Sequence, residues 1–263
     1  MVTSTLLNHR GGRDVLQDEL LAIPAPPPTD TWFPIPHSQV LAAVSDTLHG
    51  AGFQIRQTRL SVSHGESRFF GTLDLTHRVS DVNGGVTLAV GIRNSTDKSF
   101  PIGFCCGTRV FVCDNLAFTS EIVVSKKHTR FGEERYLEGI GRAVAGLHQY
   151  QEAASNWIDG LQHWDLSEDA ANSYLLQAYE QDVIGARLLP LVIKEWRHPK
   201  FDEYRPRTAW SLWNCFTDVL SRTRQASHPA QAALTTIRLQ RLLRPPESLD
   251  VPFSPMDDRP TAM

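Results

Sequence analysis

Between Gln54 and Thr119 apolar residues recur at every second position, and this spacing limits the folds open to the chain more than any other feature. Phe69, Leu73 and Leu75 alternate with Arg68, Thr72, Asp74 and Thr76, and Val86, Leu88, Val90 and Ile92 alternate with Thr87, Ala89, Gly91 and Arg93. Successive side chains of a strand point to opposite faces, so each run reads as a half-buried strand. Turn signals at His64-Gly65, Asn83-Gly84-Gly85 and Asn94 to Asp97 divide the runs as short antiparallel connections would. The last run, Phe104 to Phe118, is apolar at both parities and predicts a central strand. The segment as a whole predicts an antiparallel meander of four to five strands.

Helical spacing flanks this segment. Val40, Leu41, Val44 and Leu48 form one stripe, with Ser38 as its expected N-cap and Gly50 and Gly52 as its stop. Tyr136, Ile140, Val144, Leu147, Ala154, Trp157 and Leu161 form a longer one. Gly139, Gly141 and Gly146 interrupt it, marking either a kink or close packing on the sheet. Asp165 with Glu168 reads as a variant capping box for a helix ending near Val183, and Arg187 to Trp196 gives a short helix that His198-Pro199 ends. A charged, aromatic loop through Phe201, Tyr204 and Arg207 comes next. Trp210, Trp213, Phe216 and Leu220 stripe another helix, and Pro229 opens a last one bearing Leu234, Ile237, Leu239 and Leu242. The rings of the first stripe read as helix packing rather than as a base-stacking platform.

The expected class is therefore α+β, with an N-terminal helix packed on the meander and a helical C-terminal half. Sixteen prolines gather toward the two ends, where too little apolar surface is available to fold alone. The expected layout is a flexible Pro-rich arm over 1–31, a sheet domain over 32–131, a helical region packed on the sheet over 132–244 and a disordered tail over 245–263. No apolar run reaches the roughly 20 residues of a membrane span, and the N-terminus lacks a secretory pattern, so a cytoplasmic location without membrane contact is expected. Cys105, Cys106 and Cys113 lie in an apolar segment and read as buried thiols in a reducing compartment.

Those cysteines and His128 lack the paired spacing that gathers donors around zinc, so neither a metal nor a cofactor is expected. Glu138-Gly-Ile-Gly-Arg142 lies in a helical stripe without a third glycine, which excludes a dinucleotide fingerprint. Phosphate-loop, nucleophile-elbow and zinc-protease signatures are absent. A net charge of −3 excludes polyanion binding by the whole surface and requires a local patch. Arg93, Lys98, Arg109, Lys126, Lys127 and Arg130 sit at strand ends or in the following loop, with His128 inside the densest group. Phe118 and Phe131 nearby supply rings, so the set reads either as phosphate contacts with base stacking or as a solvated charged loop. Asn94, Asp97, Asp114 and Asn115 flank apolar strands and read either as turn makers or as contacts to a ligand or a neighbouring subunit.

Four strings, Gly91-Ile-Arg-Asn-Ser-Thr-Asp97, Val110-Phe-Val-Cys-Asp-Asn-Leu116, Lys127-His-Thr129 and Trp210-Ser-Leu-Trp-Asn-Cys-Phe-Thr217, resemble the phage/plasmid-like family of domain of unknown function 932. The resemblance spans about residues 32 to 245 and implies work on behalf of a mobile element. The order helix, meander, long helix is also similar to that of the single-strand annealing proteins of recombination, an analogy of fold. These likenesses imply an oligomeric, non-enzymatic protein that binds single-stranded DNA in replication or recombination. Two alternatives stay open, a module that binds a host protein and modulates a host or plasmid system, and a nucleic-acid enzyme that uses Asp114.

Overall fold

The alternation resolves into strands β1 (Arg13–Val15), β2 (Ile55–Ser63), β3 (Arg68–Ser80), β4 (Val86–Ser95), β5 (Ile102–Val110) and β6 (Asn115–Lys126). They form one antiparallel sheet in the order β1-β2-β3-β4-β5-β6, so the chain is an α+β meander. The computed structural model describes residues 12–81, 85–110, 115–220 and 229–244. Two departures raise the strand count above the expected four or five. The apolar run from Phe104 to Phe118 contributes to two neighbouring strands, with Cys106 facing Thr119 and Val110 facing Asn115. Apolar residues at both parities obscure where one strand ends, although Asp114-Asn115 interrupts them.

The other departure lies in the expected arm. Arg13–Val15 pairs with β2, and helix α1 (Gln17–Leu21) carries Leu20 into the core. Ile23 and Ile35 are buried as well. The stretch from 12 to 31 is thus built onto the sheet rather than forming a flexible arm, because Val15, Leu20 and Ile23 provide enough apolar anchors despite the prolines that follow. Residues 1–11 and the 245–263 tail lie outside the described residues.

One sheet face carries the main apolar surface. Leu60, Gly71, Ile92, Phe104 and Val124 form a continuous row across β2 to β6. Helix α2 (His37–Gly50) buries Val40, Leu41, Val44 and Leu48, and α3 (Gly132–Ala145) buries Tyr136, Ile140 and Val144. The N-cap of α2 is Pro36 and not Ser38, which lies inside the helix, because the ring of His37 is claimed by the sheet and draws the helix start forward.

The opposite face is also buried at its centre, unlike the half-buried strands expected. Thr72, Asp74, Thr87 and Ala89 are all nearly inaccessible. Small residues occupy the row positions beside them, as in Asp74–Ala89–Gly107 and Thr72–Gly91–Cys105. Asp74 accepts a charged hydrogen bond from Arg59 at 2.7 Å, which offsets part of the cost of removing both charges from water. Alternation of polar and apolar residues therefore marks two faces here, not two exposures.

The expected long helix divides at Gly146 into α3 and α4 (Leu147–Gln162), so this glycine marks a break. Gly139 marks close packing: a Cβ there would lie 2.6 Å from Val124 Cγ1 on β6. Gly141 has nothing within 4 Å of that position. Gly141→Ala is therefore expected to stabilise the chain by about 0.5–1 kcal/mol, the helix-propensity difference. Gly139→Ala is expected to destabilise it, because about 1–3 kcal/mol of overpacking exceeds that gain. Denaturant midpoints of the two variants check the opposite signs.

Helix α5 (Glu168–Glu180) is capped by Ser167, whose hydroxyl accepts from the Ala170 amide at 3.1 Å. Asp165 is not the cap, since it lies upstream in a bridge with Thr208. Helix α6 (Leu189–Arg197), a 3-10 turn at Asp202–Tyr204, α7 (Ala209–Leu220) and α8 (Pro229–Leu242) complete the order. Every residue of α7 is buried, and Trp213 packs edge to face on Trp157 at 4.7 Å. These indoles are core, as the stripe implied. Cys105, Cys106 and Cys215 are free thiols, and Cys113 lies outside the described residues. Among the described residues no helix is long and apolar enough to cross a membrane.

Candidate functional site

The register places most of the expected cations at one end of the sheet. Arg93 near the end of β4 faces Gly103 on β5, Gly103 faces Ser125 on β6, and Ile102 faces Lys126. Two strand spacings thus separate the backbone of Arg93 from that of Ser125, about 10 Å. Lys127 and Arg130 follow directly in the turn after β6 and are exposed. Lys98 lies in the connection between β4 and β5 at the same end. The Phe33 amide donates to the His128 carbonyl at 3.0 Å, which ties the segment carrying Trp32 to this turn.

Three of these cations lie over aromatic rings. The Lys98 ammonium is 4.9 Å from the Trp32 centroid, the Arg93 guanidinium 5.6 Å from that of Phe100, and the Arg130 guanidinium 6.0 Å from that of Phe131. Phe131 is mostly exposed. No carboxylate forms an ion pair with Arg93, Lys98, Lys126, Lys127 or Arg130 among the described residues. Glu133, three residues after Arg130, accepts a hydrogen bond from Gln39.

Arg93 is the least expected member of this group. Its stem crosses β5 over Gly103, where a Cβ would lie 2.8 Å from Nε, so the path exists only because that position is glycine. Burial pulls its pKa below the ordinary arginine value. The neighbouring Cys105 gives no counter-charge, because burial pushes its thiol up to about 12. A half-buried guanidinium without an anion is costly, and a bound phosphate would relieve that cost.

Not every expected residue joins the site. Arg109 faces Thr87 across β4, six residues along β5 from Gly103, which puts it toward the other end of the strand. Lys126 has the parity of Ile102, so the cations wrap the end of the sheet instead of covering one face. His128 turns inward: its side chain is buried, and neither ring nitrogen has a partner among the described residues. It is part of the support, not a phosphate contact.

Asn94 proves internal, and Asp97, though exposed, is engaged within its own turn. The Asn94 amide donates to the Ile35 carbonyl at 2.8 Å and to His37 Nδ1 at 2.9 Å, while His37 Nε2 donates to the Glu66 carbonyl at 2.9 Å. These bonds fix the His37 tautomer and lock the start of α2 to β4 and to the β2–β3 turn. Asp97 accepts from Ser67, from Arg68 at 2.8 Å and from both the amide and hydroxyl of Ser99. Those hydrogen bonds outweigh its burial and hold its carboxyl well below the usual carboxylate range. Both residues bind the turns together, and of the two only Asp97 keeps solvent-exposed surface. Asn115 opens β6 opposite Val110, and Asp114 lies outside the described residues.

Sequence reasoning missed Trp32, Phe100 and His37. The string Trp32-Phe-Pro-Ile-Pro36 carried the only signal, a large ring in a segment whose prolines forbid regular pairing.

The two buried histidines predict a pH dependence. Burial is the main cause that lowers the pKa of both His37 and His128 from 6.5, and their mutual repulsion adds to the lowering at His37. The His37 hydrogen bond to the Glu66 carbonyl acts the other way without offsetting burial, as the nearby Phe33 backbone does at His128. The stability these neutral rings contribute is complete above about pH 6.5 and is lost as pH falls through their lowered folded values. Thermal unfolding between about pH 7.5 and about pH 5 should show Tm falling below about pH 6.5, with a smaller fall in His128→Gln. A flat profile would contradict the assignment of both rings as neutral.

Comparison with known proteins adds no relative to this geometry: no family model, no curated protein and no solved structure matches the chain.

Proposed function

We propose that this chain binds single-stranded DNA across the end of the sheet formed by β4, β5 and β6. The observation that carries the reading is the set of five cations without carboxylate partners among the described residues, three of them over rings, on a chain whose net charge is −3. Phosphates would sit against Arg93, Lys98, Lys126, Lys127 and Arg130, and bases would stack on the exposed Phe131. Neither contact reads base identity, so binding is tolerant of sequence. The strings that resemble the mobile-element family point to the same use, in replication or recombination.

Anisotropy of a labelled single-stranded oligonucleotide tests the proposal. Binding is expected to weaken steadily with added salt and to exceed binding of the same sequence as duplex, whose bases are already stacked. Absence of salt-sensitive binding would overturn it. Recovery of one host protein in a pull-down, with no nucleic acid carried along, would favour an interaction module instead.

A further inference from the structure

A second group of cations lies in the helical half, away from any residue used above. The loop after α6 folds back to form an open cleft of about 480 Å³, lined by Arg197, His198, Pro199, Arg205 and Arg207. Three guanidiniums and an imidazole thus line one concavity of a chain that is acidic overall.

Part of this arrangement has an ordinary explanation. Lys194 and Arg197 lie in the last turn of α6, where cations complement the negative end of the helix dipole. Arg205 and Arg207 come from the far side of the loop, and the helix end does not account for their convergence. Two carboxylates compete for the cleft: Glu168 is 3.8 Å from Arg197, and Asp202 is 2.8 Å from Arg205. Arg207 has no carboxylate partner among the described residues.

The cleft is held in shape by the framework. Arg207 donates to the Trp196 carbonyl and lies 4.6 Å over the Trp196 ring, which is itself buried. Its backbone carbonyl accepts from the Leu166 amide at 2.7 Å, and the Ala209 amide donates to the Trp164 carbonyl at 2.9 Å. Tyr204 is buried at the centre of the loop, with Phe201 edge-on at 5.9 Å. Anchored at both ends and in the middle, the loop has a fixed backbone and a fixed Arg207, from which the exposed Arg197 and Arg205 side chains reach the cleft.

We infer that this cleft binds a phosphate monoester. Arginine forks match phosphate oxygens bidentately, and three guanidiniums against Glu168 and Asp202 leave an excess of positive charge that an anion answers. The cleft is open and roomier than a bare phosphate, so it admits a monoester that carries an organic group such as a nucleoside. The inference is independent of the sheet-end interface.

Calorimetric titration of the full chain with inorganic phosphate, a nucleoside 5′-monophosphate and the uncharged nucleoside tests it. The monophosphate is expected to bind saturably and more tightly than inorganic phosphate, and the nucleoside is expected not to bind. Arg197→Gln and Arg205→Gln should each weaken the monophosphate at least tenfold, with unliganded Tm and oligonucleotide binding unchanged. Arg207 is left intact because it supports the loop. Should Arg197→Gln fail to fold, Arg205→Gln decides alone, since that side chain is exposed and among the described residues pairs only with exposed Asp202. No saturable binding of either phosphate species, or equal binding by folded Arg205→Gln, would overturn the inference.

Discussion

Asp74→Ala is expected to lower the unfolding free energy by about 3–5 kcal/mol, the range for removing one partner of a buried ion pair. The Asp74 side chain is 2% exposed and that of Arg59 19%, and their atoms meet at 2.7 Å. Alanine would remove the carboxylate that meets Arg59 Nη1 and leave a neutral acceptor, Gln57 Oε1 at 3.0 Å from Nη2, beside the guanidinium. The deficit exceeds that of a typical surface pair because solvent can reach only part of Arg59. Asp74→Asn keeps the shape and one acceptor, so its loss should be smaller. Urea unfolding would show a lower midpoint at unchanged slope. A loss below about 1 kcal/mol would mean that water reaches this face freely, as at an exposed pair.

Combined replacement of Lys126, Lys127 and Arg130 by alanine is expected to weaken single-stranded DNA binding on the order of a hundredfold near 0.1 M salt. Each phosphate contact on a single strand releases about 0.7 of a counterion, so three contacts account for about two powers of the salt concentration. Folding should survive, since Lys127 and Arg130 are exposed and none of the three forms an ion pair among the described residues. Arg93 is a poorer choice for substitution because its stem is packed over Gly103. Arg109→Ala is the useful control: six residues along β5 from the Arg93 row, it should weaken binding much less than the triple replacement. Equal losses would mean that the interface runs the length of the strand.

Much of the fold was legible from local patterning, and the failures share a physical origin. Val86 to Ile92 and Phe69 to Leu75 declared their strands because one parity had to remain apolar to meet α2 and α3. The Phe104–Phe118 run hid a strand boundary because both parities were apolar. Strand β1 escaped notice because three residues cannot show a period, and its pairing with Leu60–Val62 is a contact distant in sequence. The same distinction holds at the site. Lys126, Lys127 and Arg130 are neighbours in the chain, so their proximity required no fold. Sorting Arg93 into the group and Arg109 out of it required the register, and turning His128 and Asn94 inward and tying Asp97 to Arg68 required knowing which partners the fold would bring to them.

Log-log salt titrations of single-stranded oligonucleotide binding, run side by side on the unaltered chain and on the Lys126, Lys127 and Arg130 triple variant, bear most directly on the cationic end of the sheet. The slope is expected to be shallower by about 2 in the variant, an increment of about 0.7 for each phosphate that the variant leaves to its counterions. Parallel slopes, or binding by the unaltered chain that ignores salt, would contradict the interface described for β4, β5 and β6.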